Sequence, residues 1–310
     1  MAKKTTVTKK SSAATHAGFA AILGAPNVGK STLLNHLVGE KVSIVSSKAQ
    51  TTRMRVLGLL TEDNTQIALI DTPGIFAPRD RLDKAMVRAA WQSLEGADAV
   101  LLMVDATARQ PDSKTEVIIE ALQSRKQQAT LVLNKVDKAK RLKLLPLAEH
   151  LSKTGVFDKI FMISALTGDG VDDLKKHLKA KMPKEPWLFP ADQLTDLPER
   201  LWAAEITREQ IFRQLSDELP YAAAVLPSTW ENRKDGSTVI HQTIIVMRPN
   251  HRAIVLGKKG SRIKAIGQAS REEMKLWLKR KVHLFLDVKA DEKWQDKSEF
   301  YRVFGLEETK

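Results

Sequence analysis

The chain contains no cysteine in 310 residues. Disulfides, thiolate catalysis and cysteine-ligated zinc are therefore excluded, and a reducing, cytoplasmic setting fits. No run approaches the ~18 consecutive apolar residues that a membrane-spanning helix needs. The opening MAKKTTVTKKSSAATHAG is basic and rich in Ser and Thr, but it lacks the apolar middle of a secretory signal. Residues 1–17 read as a disordered basic tail. Acidic residues are in deficit, with 37 Asp and Glu against 50 Lys and Arg, a formal net charge of +13. Such an excess favours a polyanionic partner, either nucleic acid or an anionic membrane surface. Its distribution is uneven: residues 248–281 hold eleven Lys/Arg against two acids, Glu272 and Glu273, a net +9.

From Phe19 onward short apolar runs alternate with helical stretches. FAAILG, IALI, AVLLMVDA, TLVLN and KIFMISA read as buried strands of a mostly parallel sheet with helices on both faces. The stretch over 18–182 is expected to be one open α/β domain, its ligand at the carboxyl ends of the strands. Prolines at 183, 186, 190 and 198 mark residues 183–198 as a linker. The pattern over 199–310 then changes to a helix, a hairpin turning near Asp235-Gly236, two helices around GKKG, a strand and a terminal helix. A small second α+β domain is expected there.

GAPNVGKS, residues 24–31, fits G-x-x-x-x-G-K-S between a strand and a helix. Glycines at 24 and 29 let backbone N–H groups close around phosphates. Lys30 would reach the β- and γ-phosphates, Ser31 would ligate Mg²⁺, and the helix N-terminus adds partial positive charge. The phosphate contacts expected of this loop are Gly24, Asn27, Val28, Gly29, Lys30, Ser31 and Thr32. DTPG, 71–74, follows a strand, so Asp71 stands where Mg²⁺ is held through water and the Gly74 N–H points to the γ-phosphate. NKVD contributes Asn134, Lys135 and Asp137; an Asp there accepts two hydrogen bonds from guanine that adenine cannot offer. Its plainer reading is a cap on the next helix. Ser164 and the Ala165 N–H, in ISAL, are expected to face the guanine O6.

These four motifs, in this order, imply a site for GTP and GDP with Mg²⁺, and the region resembles the translation-factor-related P-loop GTPases. Lys30, Thr52 and Gly74 are the expected catalytic set, and Ser31, Thr52 and Asp71 the expected Mg²⁺ set. Thr52 is preferred over Thr51 as the loop hydroxyl brought to Mg²⁺ and the γ-phosphate. Many relatives carry glutamine after the glycine of DTPG, where it orients water. Here that position is Ile75. An apolar side chain cannot polarise water, so slow intrinsic hydrolysis is expected. Asn27 is a candidate to hold K⁺ as an aid, as in some related GTPases; the competing reading is a loop residue that bonds backbone.

GKKG, 257–260, lacks the spacer and hydroxyl residue of a nucleotide loop. Between two helices and beside a hairpin it resembles the GxxG loop of KH RNA-binding modules, which clamps a single-stranded backbone. Gly257, Lys258, Lys259, Gly260, Arg262 and Lys264 are the expected RNA contacts. Ile254, Val255, Ile263 and Ile266 read either as core or as the wall of an RNA groove.

A guanine-nucleotide domain followed by a GxxG module, with QTTR and ELPY in place, resembles the Era-like family of bacterial GTPases over nearly the whole chain. That resemblance implies a monomer that binds near the 3′ end of small-subunit ribosomal RNA during assembly of the small ribosomal subunit. It also implies a loose, peripheral association with the inner membrane. A membrane-associated signalling GTPase with a lipid-binding basic face is the alternative, and an RNA-binding protein that holds GTP only structurally is a further one.

Overall fold

The structure, a computed structural model, describes residues 14–307 except 49, 50, 79, 109 and 217. Residues 1–13 of the expected tail lie outside the described residues. The first strand begins at His16, three residues before the expected Phe19.

The first domain is a six-stranded sheet, ordered β2-β3-β1-β4-β5-β6. Its strands are β1 (His16–Gly24), β2 (Val56–Glu62), β3 (Thr65–Asp71), β4 (Ala99–Asp105), β5 (Ala129–Asn134) and β6 (Phe157–Ile163). All pairings are parallel except the β2–β3 hairpin. The continuous apolar runs have a direct cause: each central strand is covered twice. Along β1, Ala20 and Ile22 join the core on one face while Ala21 and Leu23 join the core on the other. Leu101 and Met103 of β4 alternate with Leu102 and Val104 in the same way. Helix α1 (Lys30–Val38) fills the first face with Leu33, Leu34 and Leu37, and α5 (Val171–Lys181) adds Leu174 and Leu178. Helix α2 (Arg81–Gln92) contributes Ala90 to the second face, joined there by α3 (Ser113–Ser124) and α4 (Arg141–Ser152). The connections leave β1 in opposite directions to β3 and β4, which places a crevice at the carboxyl end of β1, where Gly24 stands.

Strand β2 has no counterpart among the strands read from the sequence. Gly58 lets α1 lie close on it: a Cβ there would meet Leu34 at 2.6 Å and Val38 at 2.9 Å. The proline-marked segment is an ordered strap along this strand's free edge. Leu59 N–H donates to Leu194 O at 2.9 Å, and Gly58 bridges Thr195. Buried Gln66 accepts from Leu188 N–H (2.8 Å) and Phe189 N–H (2.9 Å).

The second domain runs α6 (Glu199–Gln214), β7 (Ala223–Asn232), β8 (Thr238–Val246), α7 (Pro249–Leu256), α8 (Ser261–Leu278), β9 (Val282–Ala290) and α9 (Ser298–Val303). The β7–β8 hairpin is antiparallel and β9 lies parallel to β8. Gly236, at φ 79, sits in the hairpin turn as expected. Trp294, Phe300 and Tyr301 are buried in one core with residues of both domains, and Glu307 pairs with Arg88 of α2 at 3.1 Å.

Candidate functional site: a nucleotide cleft and a basic loop

At the end of β1 the chain turns through Gly24–Gly29 and enters α1 at Lys30. Gly29, at φ 101, is the N-cap of α1, and a Cβ there would lie 2.3 Å from Asn134 Nδ2. No side chain fits. Lys30 Nζ donates to Gly24 O and Ala25 O, both at 3.1 Å, so the ammonium sits under the loop. Burial pushes its pKa down to about 8, against the opposing pull of Asp71.

Asp71 is fully buried at the end of β3 and collects hydroxyls on one oxygen. Ser31 Oγ donates to Asp71 Oδ2 at 2.6 Å, Ser43 Oγ at 2.9 Å and Thr52 Oγ1 at 3.4 Å. Ser31 and Thr52 hydroxyls are themselves 3.0 Å apart. Asp71 Oδ1 is buried with no partner. Burial holds this carboxyl above its ordinary range despite Lys30 and the three hydroxyls. Two hydroxyls and a carboxylate with an unspent oxygen form an all-oxygen donor set, which suits Mg²⁺ with part of its water shell kept. Thr51 is turned elsewhere, toward Ser46 Oγ (2.9 Å) and Lys48 O (2.8 Å). Ser43 went unread in the sequence, where nothing marks it out from its neighbouring serines.

A cleft of about 560 Å³ opens above this cluster, lined by Asn27, Lys30, Ser31, Thr32, Thr52, Gly74 and Lys135, among others. Gly74 packs on the first loop, its Cβ position 2.9 Å from Pro26 N. Ile75 is buried in the second-face core, so its side chain is withdrawn from the cleft. Asn27, at φ 66, donates from Nδ2 to Ser47 O at 3.0 Å. Arg213 of α6 also lines the cleft, a contribution from the second domain that motif reading missed.

Asn134 staples three loops at the other side. Its Nδ2 donates to Val28 O at 2.7 Å, and its Oδ1 accepts from Ala165 N–H at 2.9 Å. The Ala165 N–H, expected to face the guanine O6, is bonded to Asn134 in this structure. Ser164 is buried, its Oγ accepting from Thr167 N–H at 3.2 Å. Lys135 lies across the edge with Nζ 2.6 Å from Asp105 Oδ2. Asp137 is exposed in the turn after β5 and does not cap α4, whose N-cap is Lys140. The capping reading is thereby removed.

Some 120 residues further on, α7 ends at Leu256 and the chain passes through Gly257 (φ 70), Lys258, Lys259 (φ 53) and Gly260 (φ 75) into α8. A Cβ on Gly257 would lie 2.9 Å from Arg262 N. Lys258, Lys259, Arg262 and Lys264 are all exposed. The apolar four separate cleanly. Val255 and Ile266 are fully buried in the second domain's core and Ile263 packs at its edge, so the groove reading fails for the first two. Ile254 is 45% exposed and stands beside the loop. Gly267 was also unread; its Cβ position meets Leu286 of β9 at 3.4 Å, holding α8 close to the sheet.

Comparison with known proteins agrees in both halves. A protein-family model described as a 50S ribosome-binding GTPase matches residues 19–135, and a KH-domain model matches residues 218–295. The chain is 54% identical over 294 residues to the GTPase Era of Erythrobacter litoralis, covering 94% of this chain and 96% of that one. It is 52% identical over 306 residues to that of Caulobacter vibrioides, covering 94% and 97%. Among solved structures, an Aquifex aeolicus Era variant bound to GDP·AlF₄⁻ superposes with a TM-score of 0.89 at 43% identity, covering 94% of this chain and 99% of that one. An Era complex with MgGDPNP and nucleotides 1506–1542 of 16S ribosomal RNA matches equally, with a TM-score of 0.89, 43% identity and the same coverage of 94% and 99%.

Proposed function

The chain belongs to the Era family of GTPases, and from that premise we infer that it is a GTP-hydrolysing switch whose KH domain holds the 3′-terminal region of small-subunit ribosomal RNA during assembly of that subunit. One observation carries the reading at the chemical end: Ser31, Ser43 and Thr52 converge on buried Asp71 beside Lys30. Such a cluster serves a polyphosphate with its counter-ion.

The GTP phosphates lie over the first loop, where backbone N–H groups and Lys30 meet them. Ser31, Thr52 and Asp71 would hold Mg²⁺, and the ion would supply charge neutralisation at the phosphates. Asp137 selects guanine. Lys30, Thr52 and the Gly74 N–H stabilise charge as water attacks the γ-phosphorus and GDP leaves. With Ile75 apolar and buried, the position after Gly74 supplies no group to orient that water, so intrinsic turnover is slow. The Asn27 amide N–H donates to the Ser47 carbonyl, as the backbone-bonding reading has it; a K⁺ site there would use Asn27 Oδ1 instead.

At the other end Lys258, Lys259, Arg262 and Lys264 neutralise a single-stranded backbone that the glycines allow close. Among the described residues no helix is long and apolar enough to cross a membrane, and no observation favours a lipid surface over RNA.

Crosslinking the protein to cellular RNA, with a non-hydrolysable GTP analogue or with GDP, tests the reading. Fragments should map to the 3′ end of the small-subunit RNA and be lost with Gly257→Asp. Fragments scattered over unrelated RNAs would overturn it.

A further inference from the structure

The stretch that carries Thr52 into the carboxylate cluster is fastened to the second domain. Lys41 pairs with Glu209 of α6 and Glu273 of α8. Val45 N–H donates to Glu209 Oε1 at 2.9 Å, and Lys48 Nζ donates to Phe212 O at 2.6 Å and to Leu215 O. Arg53 donates to Ala223 O and Tyr221 O, each at 2.6 Å. Centrally, Arg208 Nη2 donates to Thr51 O.

Arg208 is fully buried on α6, a helix buried on all sides from Trp202 to Phe212. A buried guanidinium is costly unless paired, and Glu205 pairs it, Nε to Oε1 at 2.7 Å. Its Nη2 still reaches the Thr51 carbonyl, while Nη1 stays buried without a partner. The Thr51 carbonyl and the Thr52 N–H belong to one planar peptide unit. Gripping that oxygen fixes the plane from which the Thr52 side chain departs.

We propose that Arg208 is a positioning residue: it sets Thr52 for the γ-phosphate and its metal ion, and it passes any shift of Thr52 to the KH domain. Movement of the peptide pulls α6; α6 is tied through Gln210 to Glu273 of α8 at 3.2 Å, and α8 starts directly after GKKG. The unspent Nη1 offers a second position for a displaced carbonyl, which gives the device two arrangements. The proposal rests on reading Thr52 as a metal ligand and GKKG as the RNA clamp.

The test uses the full chain. A non-hydrolysable GTP analogue is titrated with and without a saturating single-stranded oligonucleotide from the 3′ end of the small-subunit RNA, and the two affinities are divided. Wild type should give a ratio of about 5–150, the usual span of such coupling. Arg208→Lys keeps a charge opposite Glu205 but loses the fork. Its ratio should fall to within about twofold of 1, while GDP affinity, and RNA affinity with GDP bound, stay within about twofold of wild type. Lys41→Gln spares the buried Arg208–Glu205 pair and should give an intermediate ratio. Full coupling retained in both variants, even with a lowered melting temperature, overturns the role of Arg208 alone. A wild-type ratio of 1 overturns it together with the switch reading.

Discussion

Lys30 enters nucleotide binding with its pKa already lowered by burial to about 8, from an ordinary 10.5. In the nucleotide-free fold the buried ammonium is a cost that is full below pH 8 and is relieved as pH rises toward 10.5. Phosphate oxygens favour the charged form and raise the pKa again. GTP affinity should therefore decline as pH rises through about 8, with uptake of about one proton at most on binding near pH 8.5. Calorimetry in buffers of different ionisation enthalpy reads this; no uptake would refute it. Asn27 makes a second claim at this scale: hydrolysis should be faster in K⁺ than in Na⁺, and Asn27→Ala should erase the difference, whereas equal wild-type rates would remove the K⁺ site. These residues were legible from sequence because phosphate and guanine chemistry needs set residue types at short spacing. Arg208 was not, since its partner carbonyl lies 157 residues away and nothing local in EITREQ separates a buried grip from a solvated charge.

Among the elements, the strap over residues 183–198 carries an expectation that composition alone could not. Its prolines announce a break in regular structure, but not that the break is ordered. Gln66 orders it, accepting from two strap N–H groups while donating to Phe189 O at 2.9 Å. Gln66→Ala should destabilise the protein by about 1–2 kcal/mol, the usual cost of leaving such groups without partners, measured by urea unfolding with an unchanged slope. A change below about 0.3 kcal/mol would show the strap to be loosely held. Strand β2 escaped the sequence reading for a related reason. VLGLLTE has a glycine at its third position and little alternation, and it becomes a strand by pairing with β3 along its full length. Four of the parallel strands, β1, β3, β4 and β5, were legible because burial on both faces demands long apolar runs; β6, at the sheet edge, is buried only at Ile163.

The whole molecule joins two anion sites whose affinities are linked. The KH loop should bind RNA with a strong salt dependence, losing about 0.7 in log–log slope for each single-strand phosphate contact removed. Replacing both Lys258 and Lys259 with alanine should thus flatten the slope by about 1.4 and leave GTP affinity without RNA unaltered; an unchanged slope would place the RNA elsewhere. The many ties between residues 41–53 and α6 make independent behaviour of the two sites the surprising outcome. The most direct measurement is the affinity of the wild-type chain for a single-stranded oligonucleotide from the 3′ end of small-subunit ribosomal RNA, with a GTP analogue bound and then with GDP. Tighter binding with the analogue is predicted, by the same factor by which RNA tightens the analogue relative to GDP. Identical RNA affinity in the two nucleotide states would contradict the account.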